Sequence, residues 1–252
     1  MTNIIISGAN GKMGKVIAEI AKKDDSLNIV CGFDVNTEPN GIFEIYSNYA
    51  EFAGKADVVI DFSHPANLDK VISFCERTNT ALVMATTGLT DAQKQQVIDL
   101  SKKVPVFFSA NMSLGVNLLV NLAKKATEIL EESFDIEIIE KHHNQKIDAP
   151  SGTAYMIADA IKETMHGEAS YVYDRASKRE KRDKNEIGIS SIRGGTIVGE
   201  HTVIFAGNDE VIELKHTATS KSVFAVGSIK AAKFIASKKS GLYDMKDILT
   251  GV

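Results

Sequence analysis

Residues 3–14 read NIIISGANGKMG. The apolar run Ile4-Ile5-Ile6 has the character of a buried strand, and it passes without a gap into the glycines at 8, 11 and 14. Val16, Ile17, Ile20 and Ala21 then recur at helical spacing. The glycine pattern is G-x-x-G-x-x-G and not the commoner G-x-G-x-x-G, so by itself it says little. Its weight comes from context. A second apolar strand, Asn28 to Phe33, ends at Asp34, 20 residues beyond Gly14. Glycines there permit a tight turn and close approach of backbone to a pyrophosphate at a helix start, and an acid at that distance suits the two hydroxyls of an adenosine ribose.

The chain continues in the same rhythm. Short apolar runs at 56–62 (ADVVIDF), 81–84 (ALVM) and 104–108 (VPVFF) alternate with helical segments around 67–77 and 91–102. This predicts an α/β fold, a Rossmann-like doubly wound parallel sheet. Such sheets take ligands beyond the C-terminal ends of their strands. Here those ends are Gly8 onward, Asp34, Ser63-His64, Thr86-Thr87-Gly88 and Ser109-Ala110-Asn111, mostly small or hydroxylated. His64 precedes Pro65 at a helix start, where a role in local structure is expected.

After Asn111 the pattern changes. Leu114, Leu118, Leu119, Leu122, Ala126, Ile129 and Leu130 mark a helix of about five turns that leads into a second, α+β domain. A strand at 134–140 then delivers the densest chemistry in the chain, EKHHNQKIDAPSGTA at 140–154. His142, His143 and Lys146 can carry or move protons, and Pro150-Ser151-Gly152-Thr153 opens a helix whose unpaired N–H groups suit an anion. Structural histidines, an acid–base or anion site and a metal site are the competing readings. Adjacent strand residues point to opposite faces and no second ligand motif follows, which disfavours metal. Segments 196–206 and 210–216 read as an antiparallel hairpin around Gly207-Asn208-Asp209. The apolar helix at 223–236 should pack back on the first domain. The expected division is residues 1–112 with 222–252 for the dinucleotide and 113–221 for substrate and oligomer contacts.

A chain of 252 residues with 44% hydrophobic and 25% charged residues is that of an ordinary globular protein. A net charge of −4 gives no general attraction to nucleic acid, and there is no apolar run suited to a membrane. Cys31 and Cys75 sit in apolar contexts and read as buried thiols of a reducing compartment, so a cytoplasmic location is expected. The mixed-sign run 175–184 (RASKREKRDK) is expected to be a solvated loop.

The motifs together resemble the 4-hydroxy-tetrahydrodipicolinate reductase (dihydrodipicolinate reductase) family. They are GANGKMG at 8–14, DFSHP at 61–65, TTG at 86–88, SANMSLGVN at 109–117, IEKHHNQKIDAPSGTA at 139–154, RGGTIVGEH at 193–201 and the terminal GLYDMKDIL. The resemblance implies reduction of 4-hydroxy-tetrahydrodipicolinate by NADH or NADPH with loss of water, a step of diaminopimelate and lysine biosynthesis. It further implies a homotetramer built through the second domain. Carried over by position, Gly8, Ala9, Asn10, Gly11, Lys12, Met13, Asp34, Ala85, Thr86, Thr87, Ser109, Ala110, Asn111 and Met112 would contact the dinucleotide. His142 would be the acid/base residue and Lys146 a proton donor, while His143, Gly152 and Thr153 would bind the carboxylates of the small dicarboxylate substrate. The chain departs from the family pattern at 178–186, where KREKRDKNE replaces a more glycine- and threonine-rich stretch. Two other readings stay open: a Rossmann protein that senses the NADH/NAD balance without turnover, and another dehydrogenase of a small dicarboxylate. A sensor would have no use for a cluster of proton donors.

Overall fold

The structure, a computed structural model, describes residues 1–251 and divides into two compact units, Met1–Leu114 with the segment from Ser222 on, and Gly115–Lys221. The chain opens with β1 (Thr2–Ser7), α1 (Lys12–Ala21), β2 (Leu27–Phe33), β3 (Ile45–Tyr46), β4 (Val58–Asp61), α2 (Leu68–Thr78), β5 (Ala81–Met84), α3 (Asp91–Ser101) and β6 (Pro105–Phe108). The second unit follows, with α4 (Leu114–Leu130), β7 (Asp135–His142), α5 (Gly152–Lys162), β8 (Ser170–Val172), β9 (Glu186–Arg193), β10 (Gly199–Ala206) and β11 (Val211–Ala218). The chain returns to the first unit with α6 (Ser222–Ile235), β12 (Gly241–Tyr243) and α7 (Met245–Thr250).

The first unit is a seven-stranded sheet in the order β12-β6-β5-β4-β1-β2-β3, parallel throughout. The run of three isoleucines follows from its two covered faces. Ile4 and Ile6 pack with Ile17 of α1 and Ile235 of α6, and Ile5 packs on the other face with Val71 and Phe74 of α2 and Val97 of α3. All three isoleucine side chains are fully buried, each worth about 1.5–3 kcal/mol of transfer free energy. A charge at any of them would be buried without a partner. From β1 the sheet grows one way through β2 and β3 and the other way through β4, β5 and β6. The switch point between β1 and β4 is therefore the ligand crevice of this topology. Local chemistry sets the helix ends: Thr90 and Gln93 form a capping box for α3, His64 Nδ1 accepts from the Ala66 N–H, and Asn79 closes α2 in the left-handed region.

The second unit is a mixed five-stranded sheet, order β11-β10-β7-β9-β8. Strand β7 is antiparallel to β10 and parallel to β9, and β10–β11 is the antiparallel hairpin. One face is covered by α4 and α5, with Ile136, Ile138, Ile187, Ile189, Val203 and Phe205 against Leu119, Ala123, Ile157 and Ile161. Strands β8 and β9 are absent from the sequence reading. Strand β9 reads EIGISSIR, and its glycine and two serines blur any two-residue period. Strands β3 and β12 are too short to show one.

The run at 175–184 is the solvated loop expected, with specific ion pairs added. It is exposed apart from half-buried Arg182, and two of its arginines reach across to the central strand β7 and to β9. The Arg182 guanidinium reaches Asp135 (3.0 Å), Glu137 (3.2 Å) and the Ile136 carbonyl (3.1 Å), and Arg175 pairs with Glu137 (2.6 Å) and Glu186 (2.7 Å). Arg175 and Arg182 pair with acids that alternate along β7 and with Glu186 of β9, which a linear reading of the loop does not reveal. Cys31 and Cys75 are buried free thiols, and burial pushes the Cys31 thiol up to about 12. Among the described residues no helix is long and apolar enough to cross a membrane.

Candidate active site

In the first unit, the turn after β1 is shaped by close backbone contact. Gly8 has φ of +80°, and a Cβ there would lie 2.6 Å from the Phe62 carbonyl oxygen; a Cβ on Gly14 would lie 2.1 Å from the Gly8 carbonyl oxygen. Gly11 is the N-cap of α1 and makes no side-chain cap, so the first turn keeps its N–H groups for an anion. Asp34 closes the turn from the end of β2, accepting from the Asn10 N–H (2.9 Å) and the Asn36 N–H (3.0 Å). The side chain of Asn10 donates to the carbonyls of Asn36 and Glu38, so it ties two loops together. Lys12 opens α1 and is exposed, Ala9 is buried and Met13 is partly buried.

The other strand ends contribute unequally. The Thr86 hydroxyl donates to buried Asp61 at 2.6 Å, Thr87 is exposed and Ala85 is buried. Ser109 donates to the Asn111 carbonyl (3.0 Å), the Asn111 side chain accepts from the Ser113 N–H (2.9 Å), Ala110 is exposed, and Met112 lies in the core. Beneath these ends Asp61 also accepts from the Ser7 hydroxyl (2.5 Å), which contacts the Tyr49 hydroxyl (2.7 Å). Burial pushes the Asp61 carboxyl up, against the hydroxyls of Ser7 and Thr86. One carboxylate thus bonds the ends of β1 and β4 to the turn after β5; it opens the DFSHP motif at 61–65, which did not mark it as a site residue.

In the second unit, β7 ends at His142, and its burial alternation puts Ile136, Ile138 and Glu140 on the covered face. Glu140 is fully buried, and its carboxylate accepts from His142 Nδ1 (2.6 Å), from Arg193 Nη1 (2.9 Å) and Nη2 (2.7 Å), and from the Ser151 N–H (3.2 Å). Burial pushes this carboxyl up, but hydrogen bonds from Arg193, Ser191 and His142 outweigh it and hold it at about 2. For His142, burial wins over the attraction of Glu140, with Lys146 and Arg193 adding repulsion, and its pKa lies below the ordinary value. His201 is buried beside it, ring centroids 5.3 Å apart, and burial with the His142 charge lowers it to about 4.

Ser151 is the N-cap of α5, its hydroxyl accepting from the Ala154 N–H at 3.2 Å. Gly152 follows it at the exposed first position, and nothing lies within 4 Å of where its Cβ would be. Thr153 comes next, so the helix start brings backbone N–H groups and a hydroxyl together. Lys146 lies in the turn after β7 with Nζ 2.8 Å from Asp148, and His143 begins that turn, its carbonyl accepting from the Lys146 N–H. Glu140, Arg193 and His201 were missed as site residues in the sequence, although the motifs at 139–154 and 193–201 contain all three. Among the described residues no group of three or more His, Cys, Asp or Glu is placed to hold a metal ion.

A doubly wound sheet with a glycine turn, joined to a mixed sheet bearing an imidazole–carboxylate pair beside a helix start, defines a two-part, dinucleotide-type oxidoreductase. The comparisons make this specific: the chain belongs to the dihydrodipicolinate reductase family, whose N-terminal model matches residues 2–112 and whose C-terminal model matches residues 115–249. It is 51% identical to 4-hydroxy-tetrahydrodipicolinate reductase of Caldanaerobacter subterraneus subsp. tengcongensis, over 99% of this chain and 98% of the relative. It is 48% identical to the reductase of the same name from Clostridium novyi, with the same coverage. Among solved structures it resembles a dipicolinate-bound dihydrodipicolinate reductase from Paenisporosarcina sp. TG-14, with TM-score 0.82, 26% identity, and 98% and 99% of the two chains covered.

Proposed function

We infer that this chain reduces 4-hydroxy-tetrahydrodipicolinate to tetrahydrodipicolinate with loss of water, using a nicotinamide nucleotide, in the diaminopimelate route to lysine. Family membership and the named relatives support the reaction. The observation that carries the chemistry is the 2.6 Å bond from His142 Nδ1 to buried Glu140, beside the start of α5.

The residues of the first unit fit a dinucleotide. Gly8 and Gly14 make a turn that side chains would block, the first turn of α1 offers N–H groups to a pyrophosphate, and Asp34 stands where a ribose would be held. Gly8 to Met13, Asp34, Ala85 to Thr87 and Ser109 to Met112 would hold it, with Thr86 and Met112 contributing through backbone because their side chains face inward. Bound there, the nicotinamide supplies the hydride.

The second unit supplies position and protons. Loss of water from the substrate leaves a ring with conjugated C=C and C=N bonds, and hydride addition to it leaves an electron pair that one proton must quench. His142 donates that proton from Nε2, with Lys146 as a further donor. The α5 start at Gly152 and Thr153, with His143, holds the carboxylates. The net change is one hydride and one proton added and one water lost. The test is consumption of reduced cofactor on adding the condensation product of pyruvate and aspartate semialdehyde, set against other carbonyl acids. Equal consumption with unrelated carbonyl acids overturns the substrate assignment. A homotetramer joined through the second unit is the proposed working state. It draws support from the exposed Ile192, Val211 and Ile212 on that sheet, and light scattering on the purified chain tests it.

A further inference from the structure

We propose that Glu140 is a positioning residue: clamped by Arg193, its one buried carboxylate fixes the His142 imidazole in the tautomer that leaves Nε2 to exchange protons, and ties that imidazole to the N-terminus of α5. This deepens the reading above and rests on His142 being the proton donor.

The geometry allows one arrangement of protons. The Glu140 oxygens meet two guanidinium nitrogens of Arg193, the backbone N–H of Ser151, the side chain of Ser191 and Nδ1 of His142, and the guanidinium and backbone groups can only donate. A carboxylate so surrounded carries no proton, so the hydrogen in the 2.6 Å contact belongs to Nδ1. Nε2 is then the nitrogen that gains and gives protons. On donation the Nε2–H bond breaks, its electron pair stays on the ring, and the imidazole returns to the neutral Nδ1–H form already held by Glu140. Gly199 gives Nε2 its room, since a Cβ there would lie 3.1 Å from it. The same carboxylate accepts from Ser151, the N-cap of α5, so proton donor and anion cradle are registered through a single group. Arg193 also donates to the Asp148 carbonyl at 2.7 Å, which holds the turn carrying Lys146.

Stability alone does not account for this arrangement. A buried ion pair gains little over an apolar pair of the same shape, because desolvation cancels most of its attraction. What such a pair provides is a fixed orientation and a fixed charge next to the imidazole, the role a buried carboxylate has in other acid–base constellations. The charged and titratable groups facing His142 are Glu140 on its own strand, Arg193 on β9, His201 on β10 and Lys146 in the following turn, the last paired with Asp148. Of these only Glu140 favours the protonated ring. Removing its charge therefore makes His142 lose its proton at lower pH.

The test compares wild type with Glu140→Gln, Glu140→Asp and Arg193→Lys as full-length enzymes. For Glu140→Gln, kcat falls about 10²-fold and the alkaline limb of its pH profile moves to lower pH, while affinity for reduced cofactor stays within about twofold. Glu140→Asp and Arg193→Lys, which keep the carboxylate and the cation, retain more of kcat than Glu140→Gln does. Independently, the imidazole nitrogen shifts of wild-type His142, assigned by NMR against His142→Gln, should show the neutral ring protonated on Nδ1. A kcat within about threefold of wild type with an unmoved limb overturns the proposal. So does a neutral ring protonated on Nε2, and that measurement decides the matter even if a Glu140 variant does not fold. Failure of the wild type to consume cofactor with its substrate would instead overturn the reading of the reaction, and the tautomer would still report on Glu140.

Discussion

The hydroxyl of Ser151 lies 3.0 Å from Nε2 of His201, a contact across 50 residues of chain that joins the N-cap of α5 to the first half of β10. Burial keeps His201 neutral by lowering it from the ordinary 6.5 to about 4. A histidine with a depressed folded pKa contributes stability above its unfolded value, and that contribution is lost as pH falls from 6.5 toward 4. The size is about 3 kcal/mol. Melting temperature should fall over that window, and His201→Gln should flatten the fall. Glu140 has the same sign lower down, between the ordinary 4.5 and about 2, so the His201→Gln protein should still lose stability there. A profile unchanged by His201→Gln would contradict the assignment.

Asp61 gathers the ends of β1 and β4 and the turn after β5 beneath the glycine turn. Asp61→Ala should cost about 2–4 kcal/mol, since the hydroxyls of Ser7 and Thr86 lose their acceptor in a buried place. Because these elements carry proposed cofactor contacts and not the proton donors, KM for the reduced nucleotide should rise more than kcat falls. Denaturant unfolding and cofactor-variation kinetics on the same variant separate the two effects.

Within the central stretch the proposed roles divide by kinetic constant. His142→Gln or Lys146→Ala should lower kcat by about 10²-fold or more with cofactor affinity almost unchanged. Thr153→Val should act mainly on KM for the dicarboxylate, by about 1–3 kcal/mol, because backbone donors at the α5 start remain. His143→Gln should resemble Thr153→Val. Near-normal kcat for His142→Gln together with loss of turnover for His143→Gln would exchange the two assignments.

Asp34 repels a 2′-phosphate, and Val35-Asn36-Thr37 supply no arginine to hold one, although Lys12 offers partial compensation. NADH should therefore serve at least as well as NADPH. The ratio of kcat/KM for the two nucleotides measures this directly, and a clear NADPH preference would refute it.

The amino-acid sequence by itself determined the parallel sheet, the glycine turn and Asp34, the long helix α4, and the strand that carries His142 to the start of α5. Each of these is written in a short window, where a period of two or of 3.6 residues, a turn glycine or a helix cap acts on its neighbours in the chain. Strands β8 and β9, the ion pairs of Arg175 and Arg182 with β7 and β9, and the cluster of Glu140, Arg193, Ser151 and His201 were decided only by tertiary structure. Glu140 and Arg193 stand 53 residues apart, and β9 brings them together because it pairs with β7 in a register that sets Arg193 opposite His142. Nothing in the local sequence of a buried carboxylate says which cation will neutralise it. That pairing follows from the requirement that a charge taken out of water be surrounded by donors, and only the assembled sheet fixes which donors those are.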